Sequence, residues 1–148
     1  MPHLTDRERL VLAALAAERG AAFAPVQVQK MFFLLDENVA DDIGGRQFNF
    51  EPYHYGPFDK DVYAELDRLA RRGLVLCESI GPSAGHRRYS LTPEGQQIGE
   101  EEFAKFDQRV RQYVAAVSAW VRKLSFASLV GSIYKAYPQM REKSIFVD

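Results

Sequence analysis

The sequence predicts an α+β, mostly helical domain, on three observations. Apolar residues recur at three- and four-residue steps over most of the chain. Period-two alternation is confined to short stretches between residues 47 and 91. Helix start and stop residues stand at the edges of the periodic segments. At 148 residues the chain has the length of one domain, so a single unit over 1–148 is expected.

Thr5 and Glu8 open the first helix as a capping box, which satisfies two of the amides left free at a helix start, and Gly20 supplies its stop. Leu10, Val11, Ala14 and Leu15 share one face opposite Arg9 and Glu18, which predicts a surface helix packed by one side. Pro25 suits the first position of a second helix, whose Val28, Met31, Phe32 and Leu35 predict deeper burial. In RQFNFEP, Phe48 and Phe50 alternate with Asn49 and Glu51, predicting a short strand over 47–51. Asp59 caps a third helix with Val62, Leu66 and Leu69 inward, a charged outer face and a stop at Gly73. LVLCESI and RRYSLT flank the turn-rich GPSAGH as a hairpin, with Cys77 expected as a small buried apolar residue. Thr92 and Pro93 begin another helix.

Helix, helix, strand, helix and hairpin, in that order, describe a winged-helix-like core over 1–92 with a C-terminal helical extension over 93–148. Within the extension, Phe103, Phe106, Val110, Tyr113, Val117, Trp120 and Leu124 follow alternating steps of three and four, a heptad seam. One helix from Glu100 to Leu124 would run about 37 Å, too long for a small core to hide entirely. The seam therefore packs on the core, partly through FASLVGSIYKAY, or on a second subunit as a homodimer. Gly95 and Gly99 are expected to weaken or bend the start of this helix.

Composition narrows the function classes. Apolar residues make up 47% and charged residues 26%, and no apolar run is long enough to span a membrane. The charged start MPHLTDRERL is unlike a signal peptide and a single cysteine excludes an internal disulfide, which together point to the cytoplasm. Lys and Arg number 19 against 20 Asp and Glu, so no basic domain announces a nucleic-acid binder. If the third helix read DNA, its first half would turn Asp59, Asp61 and Glu65 toward phosphates with Lys60 alone in compensation. Arg68, Arg71 and Arg72 lie at its far end, where they suit the helix dipole without any ligand. His86, Arg87 and Arg88 at the hairpin tip either contact a partner or are simply solvated.

Catalytic chemistry finds little footing. His3, His54 and His86 fall on separate elements, Cys77 has no ligand at metal-site spacing, and no phosphate loop or nucleophile elbow is present. The expectation is a non-enzymatic protein with no metal and no cofactor.

VQVQKMFFLLDE, FNFEPYHYGPFDKDVYAELDRLARRGLV and LVGSIYKAYPQMREKSIF together resemble the SocA-like, or Panacea, antitoxin domain family of phage-associated proteins. Tyr55, Gly56, Pro57 and Phe58, leading into a helix that ends in GLV, are the most specific part. Asp59 stands where the family pattern has a serine, and either residue caps a helix. The resemblance implies a protein-binding antitoxin that neutralises a toxin encoded nearby. Tyr53, His54, Tyr55 and Phe58 would then supply part of the contact surface, since aromatic residues concentrate at interfaces. The same turn could instead staple itself to the core. The alternative is a dimeric winged-helix DNA-binding transcription regulator paired through Phe103 to Leu124.

Overall fold

Helix α1 (Asp6–Ala16) starts at the expected capping box: Glu8 N donates to Thr5 Oγ1 at 3.1 Å and Thr5 N donates to Glu8 Oε1 at 2.9 Å. It belongs to a computed structural model that describes residues 3–147. Contrary to the one-sided surface helix expected, α1 is buried on all sides from Leu10 to Ala16. The reason lies far along the chain. Helix α4 (Pro93–Ala104) covers the face that sequence periodicity left to solvent, and Gly99 makes the approach possible. A β-carbon on Gly99 would stand 2.5 Å from Leu12 O, and one on Gly95 would stand 1.9 Å from Leu74 O. These glycines serve close packing rather than bending α4, because only a hydrogen fits between the backbones.

Helix α2 (Pro25–Asn38) is the central element, buried continuously from Val28 to Asp36. The Asp36 carboxylate accepts from Gln47 N and Phe48 N, each at 2.9 Å, and so holds the following segment against the helix. Residues 47–50 are consequently not a strand. Phe48 and Phe50 alternate because both rings pack on α2, at 5.8 Å from Phe32 and 5.6 Å from Phe33. The strand falls later, at β1 (Glu51–Tyr53), and pairs antiparallel with β2 (Gly56–Phe58) through a two-residue turn at His54 and Tyr55.

Helix α3 (Lys60–Arg71) is capped by Asp59, whose carboxylate accepts from Asp61 N at 2.9 Å and from Asn49 N at 2.7 Å. Val62, Leu66 and Leu69 point inward as expected. Glu65 does not join the charged outer face: it is buried, bonded to Arg68 and, at 3.1 Å, to Arg7. Gly73 follows with φ +77°, a left-handed stop. Strands β3 (Val75–Ser79) and β4 (Arg87–Leu91) form the expected hairpin, from Val75 opposite Leu91 to Ser79 opposite Arg87. Phe23 and Tyr89 exchange backbone hydrogen bonds of 2.8 and 2.9 Å, which tie β4 to the α1–α2 loop. Past Val75 strand β3 is exposed while β4 keeps Tyr89 in the core, so Cys77 is exposed rather than buried.

The single helix expected over 100–124 is divided. Helix α4 ends at Ala104, and Asp107 caps a new helix, α5 (Gln108–Lys123), by accepting from Val110 N at 2.9 Å. A side chain that captures a free amide ends the heptad's continuity, whatever the apolar spacing. On α5 the buried stripe is Val110, Val114, Val117 and Val121, packed on the chain's own core beside α2. Tyr113, Trp120 and Leu124 flank it half-buried, while Phe103 and Phe106 meet at 6.2 Å at the α4–α5 corner. Ser125 caps the last helix, α6 (Phe126–Ala136), which buries Leu129, Val130, Ile133 and Tyr134. Among the described residues the result is an α+β, mostly helical fold of six α-helices and two small antiparallel sheets. Among the described residues no helix is long and apolar enough to cross a membrane.

Candidate functional site

A groove of about 660 Å³ opens where five parts of the chain converge: the start of α2, the β1–β2 turn, Tyr63 of α3, the approach to β4, and the α5–α6 junction. Its volume lies in the range of ligand and peptide-anchor pockets. Both residue groups singled out in the sequence line it. Tyr53, His54, Tyr55 and Phe58 come from the β1–β2 hairpin, and His86, Arg87 and Arg88 from the β3–β4 hairpin. Leu124, from the end of the heptad seam, lines it as well, whereas Phe103 to Trp120 stand elsewhere.

Aromatic rings organise two runs around the groove. In one, His54 stacks on Tyr53 at 4.2 Å, Tyr53 on Phe58 at 4.9 Å, and Phe58 meets Tyr63 at 5.8 Å. Tyr63 in turn stacks with Tyr89 at 6.2 Å, joining the two hairpins. In the other run Tyr55 meets Phe126 edge-on at 5.0 Å, and Phe126 meets Phe146 at 6.3 Å. Tyr53 and Tyr55 remain 47% and 41% exposed, so the turn is braced by its neighbours without being absorbed into the core.

The basic rim is held locally. His86 Nδ1 lies 2.8 Å from Ser83 Oγ, and Arg88 Nη1 donates to Gly85 O at 3.0 Å and to Arg87 O at 2.7 Å. Arg87 bonds to Tyr89, which raises the guanidinium pKa further. Burial pushes the Tyr63 phenol up to about 12 and raises Tyr89 also, against the lowering effect of Arg87. Both phenols are therefore neutral hydrogen-bonding groups near neutral pH, not bases.

Lys30 forms the floor and is the residue that sequence reasoning missed. It is only 3% exposed, its Nζ donates to Pro57 O at 3.2 Å, and burial lowers its pKa from 10.5 to about 7. It is inward because α2 is surrounded on all sides and β2 closes over it. The available signal was a lysine inside the apolar run VQKMFFLL, where a surface helix would not put its charge. Beside it, Gln29 clamps the hairpin exit, donating to Asp59 O at 2.9 Å and accepting from Asp59 N at 3.0 Å.

Chemically, the groove offers aromatic faces, neutral phenols and basic groups. Five basic side chains line it, Lys30, His54, His86, Arg87 and Arg88, and among its described lining residues there is no Asp or Glu. No family model matches the chain, and no curated protein matches it.

Proposed function

We propose that this chain is a non-enzymatic protein-binding module, the antitoxin of a toxin–antitoxin pair, which neutralises a cytoplasmic toxin encoded nearby by occupying one of its essential surfaces. The observation that carries this reading is the convergence of Tyr53, His54, Tyr55 and Phe58 with His86, Arg87 and Arg88 around one concave surface. Exposed tyrosines and arginines around a well-shaped pocket have the composition of interface hot spots. The winged-helix-like arrangement is the scaffold in this reading: it presents the β1–β2 turn and the wing tip to the same partner.

The alternative, a dimeric winged-helix DNA-binding regulator, draws support from one observation. Asp59 and Glu65 are bonded internally, so they turn less negative charge outward than the sequence suggests. The same folding also engages Arg68 with Glu65 and Arg72 with Glu8. Two of the four cations on or just after α3 are thus turned to internal carboxylates, which favours the protein partner.

Co-expression with the neighbouring reading frame tests the choice. Rescue from a toxic neighbour, with a complex that survives moderate salt, is expected. No rescue, together with tight and steeply salt-dependent binding of a DNA fragment, would leave the regulator standing.

A further inference from the structure

Among the described residues four ionisable side chains are buried: Glu8, Lys30, Asp36 and Glu65. Three have charged or multiple polar partners. Glu8 bonds Arg72 at 3.0 Å and the Thr5 amide, Asp36 takes two backbone amides, and Glu65 takes Arg7 and Arg68. Lys30 is the exception. Its amine has one neutral acceptor, Pro57 O at 3.2 Å, and no carboxylate partner among the described residues. Burial without a counter-charge favours the neutral amine, and a buried lysine holds its charge only when an opposite charge pairs with it. Lys30 nevertheless stands at the floor of an open groove whose described lining residues include no acid. The missing counter-charge has room to enter from outside.

We infer that the groove is a recognition site for a carboxylate borne on an aromatic or branched apolar body by a partner polypeptide, with Lys30 as its counter-ion. The aromatic lining, Tyr55 with Phe126 and Tyr63, suits the apolar body, while Arg87 and Arg88 at the rim attract acidic approach. A carboxylate is small enough to reach the floor. A polynucleotide's phosphates would meet the rim arginines first and leave the nearly closed Lys30 unpaired. That the carboxylate belongs to a polypeptide rests on the protein-binding reading above.

The test follows the Lys30 Cε and Nζ resonances in lysine-labelled protein. The probes are N-acetylphenylalanine as a chain end, N-acetylglutamyl-phenylalaninamide as a side-chain acid, N-acetylglutaminyl-phenylalaninamide as the neutral control, and octathymidylate. At least one acid probe should shift Lys30 and bind at least about five-fold more tightly than the neutral control, as for a charge-assisted bond. Which acid does so identifies the source of the carboxylate. In Lys30→Met, checked for an intact fold by thermal unfolding, that preference should vanish. Equal binding of acid and neutral probes, a preference surviving in Lys30→Met, or a Lys30 response to octathymidylate alone would overturn the assignment. Co-expression separates the two ideas: neutralisation undiminished in Lys30→Met sinks the carboxylate site and spares the antitoxin, whereas selective acid binding without any neutralisation does the reverse.

Discussion

Gly56 lies against Lys30: a β-carbon there would touch Nζ at 3.5 Å and press on Tyr134 Cε1 at 3.3 Å. The glycine also adopts φ +103°, a conformation side chains rarely accept. Turn geometry and the cover over the buried amine therefore meet at the same residue. Gly56→Ala is expected to destabilise the fold by about 1–3 kcal/mol in urea unfolding. An unchanged midpoint would mean that the hairpin can move away from α2 freely.

Stability should carry the signature of Lys30. Burial holds the folded-state amine at about 7, below 10.5 for the free side chain. Between those values the unfolded chain binds more protons, so this residue makes stability rise with pH across the window, and its full penalty is present below it. Lys30→Met should stabilise the protein by on the order of a few kcal/mol near pH 6 and by much less near pH 9. Urea unfolding at both values checks the slope, and a pH-independent difference would contradict the low pKa.

Removal of Arg7 leaves the buried Glu65 with Arg68 alone. Arg7 also donates to Gln47 O at 3.0 Å and covers the Phe48 ring at 4.8 Å. Arg7→Met is expected to cost about 1–3 kcal/mol. Arg68→Met, at a more exposed position with one partner, should cost at most about 1 kcal/mol. Denaturation of the two variants should preserve that order.

Two helical glycines should respond in opposite directions. Gly99 abuts Leu12 O, whereas a β-carbon on Gly131 would meet nothing within 4 Å. Gly99→Ala should cost about 1–3 kcal/mol through overpacking. Gly131→Ala should stabilise α6 by roughly 0.5–1 kcal/mol. Thermal melts of both give the comparison.

Partner binding, if the antitoxin reading holds, should depend on the exposed rim. Tyr55→Ala and Arg87→Glu should each weaken the complex by about ten-fold or more, as expected of hot-spot residues, while melting temperature barely moves. Calorimetric titration with the co-expressed neighbour measures this. Full affinity in both variants would place the contact surface elsewhere.

Much of the helical framework was legible because its signals are local. Thr5 with Glu8, Asp59 before α3 and Thr92 before α4 act within three residues, and all three appear as caps. The β3–β4 hairpin was equally readable from its turn-rich connection. Where spacing was the sole signal, it misled: Phe48 and Phe50 alternate without a strand, and the heptad continues across Asp107 although the helix does not. Periodicity reports which residues seek burial, but a captured amide or a carboxylate such as Asp36 decides the backbone.

The starts of α1 to α4, the inward stripe of α3, the β3–β4 hairpin and the aromatic and basic residues worth attention were written in the sequence. Tertiary structure alone decided that Glu65 faces Arg7, that Lys30 closes the floor of a groove, and that His54 and His86 belong to one surface. Each of those pairings joins residues far apart in the chain, whose meeting depends on how α2, the two hairpins and α6 close around one another. Local spacing carries no record of such closure, because burial of a charge is settled by what the rest of the chain places against it.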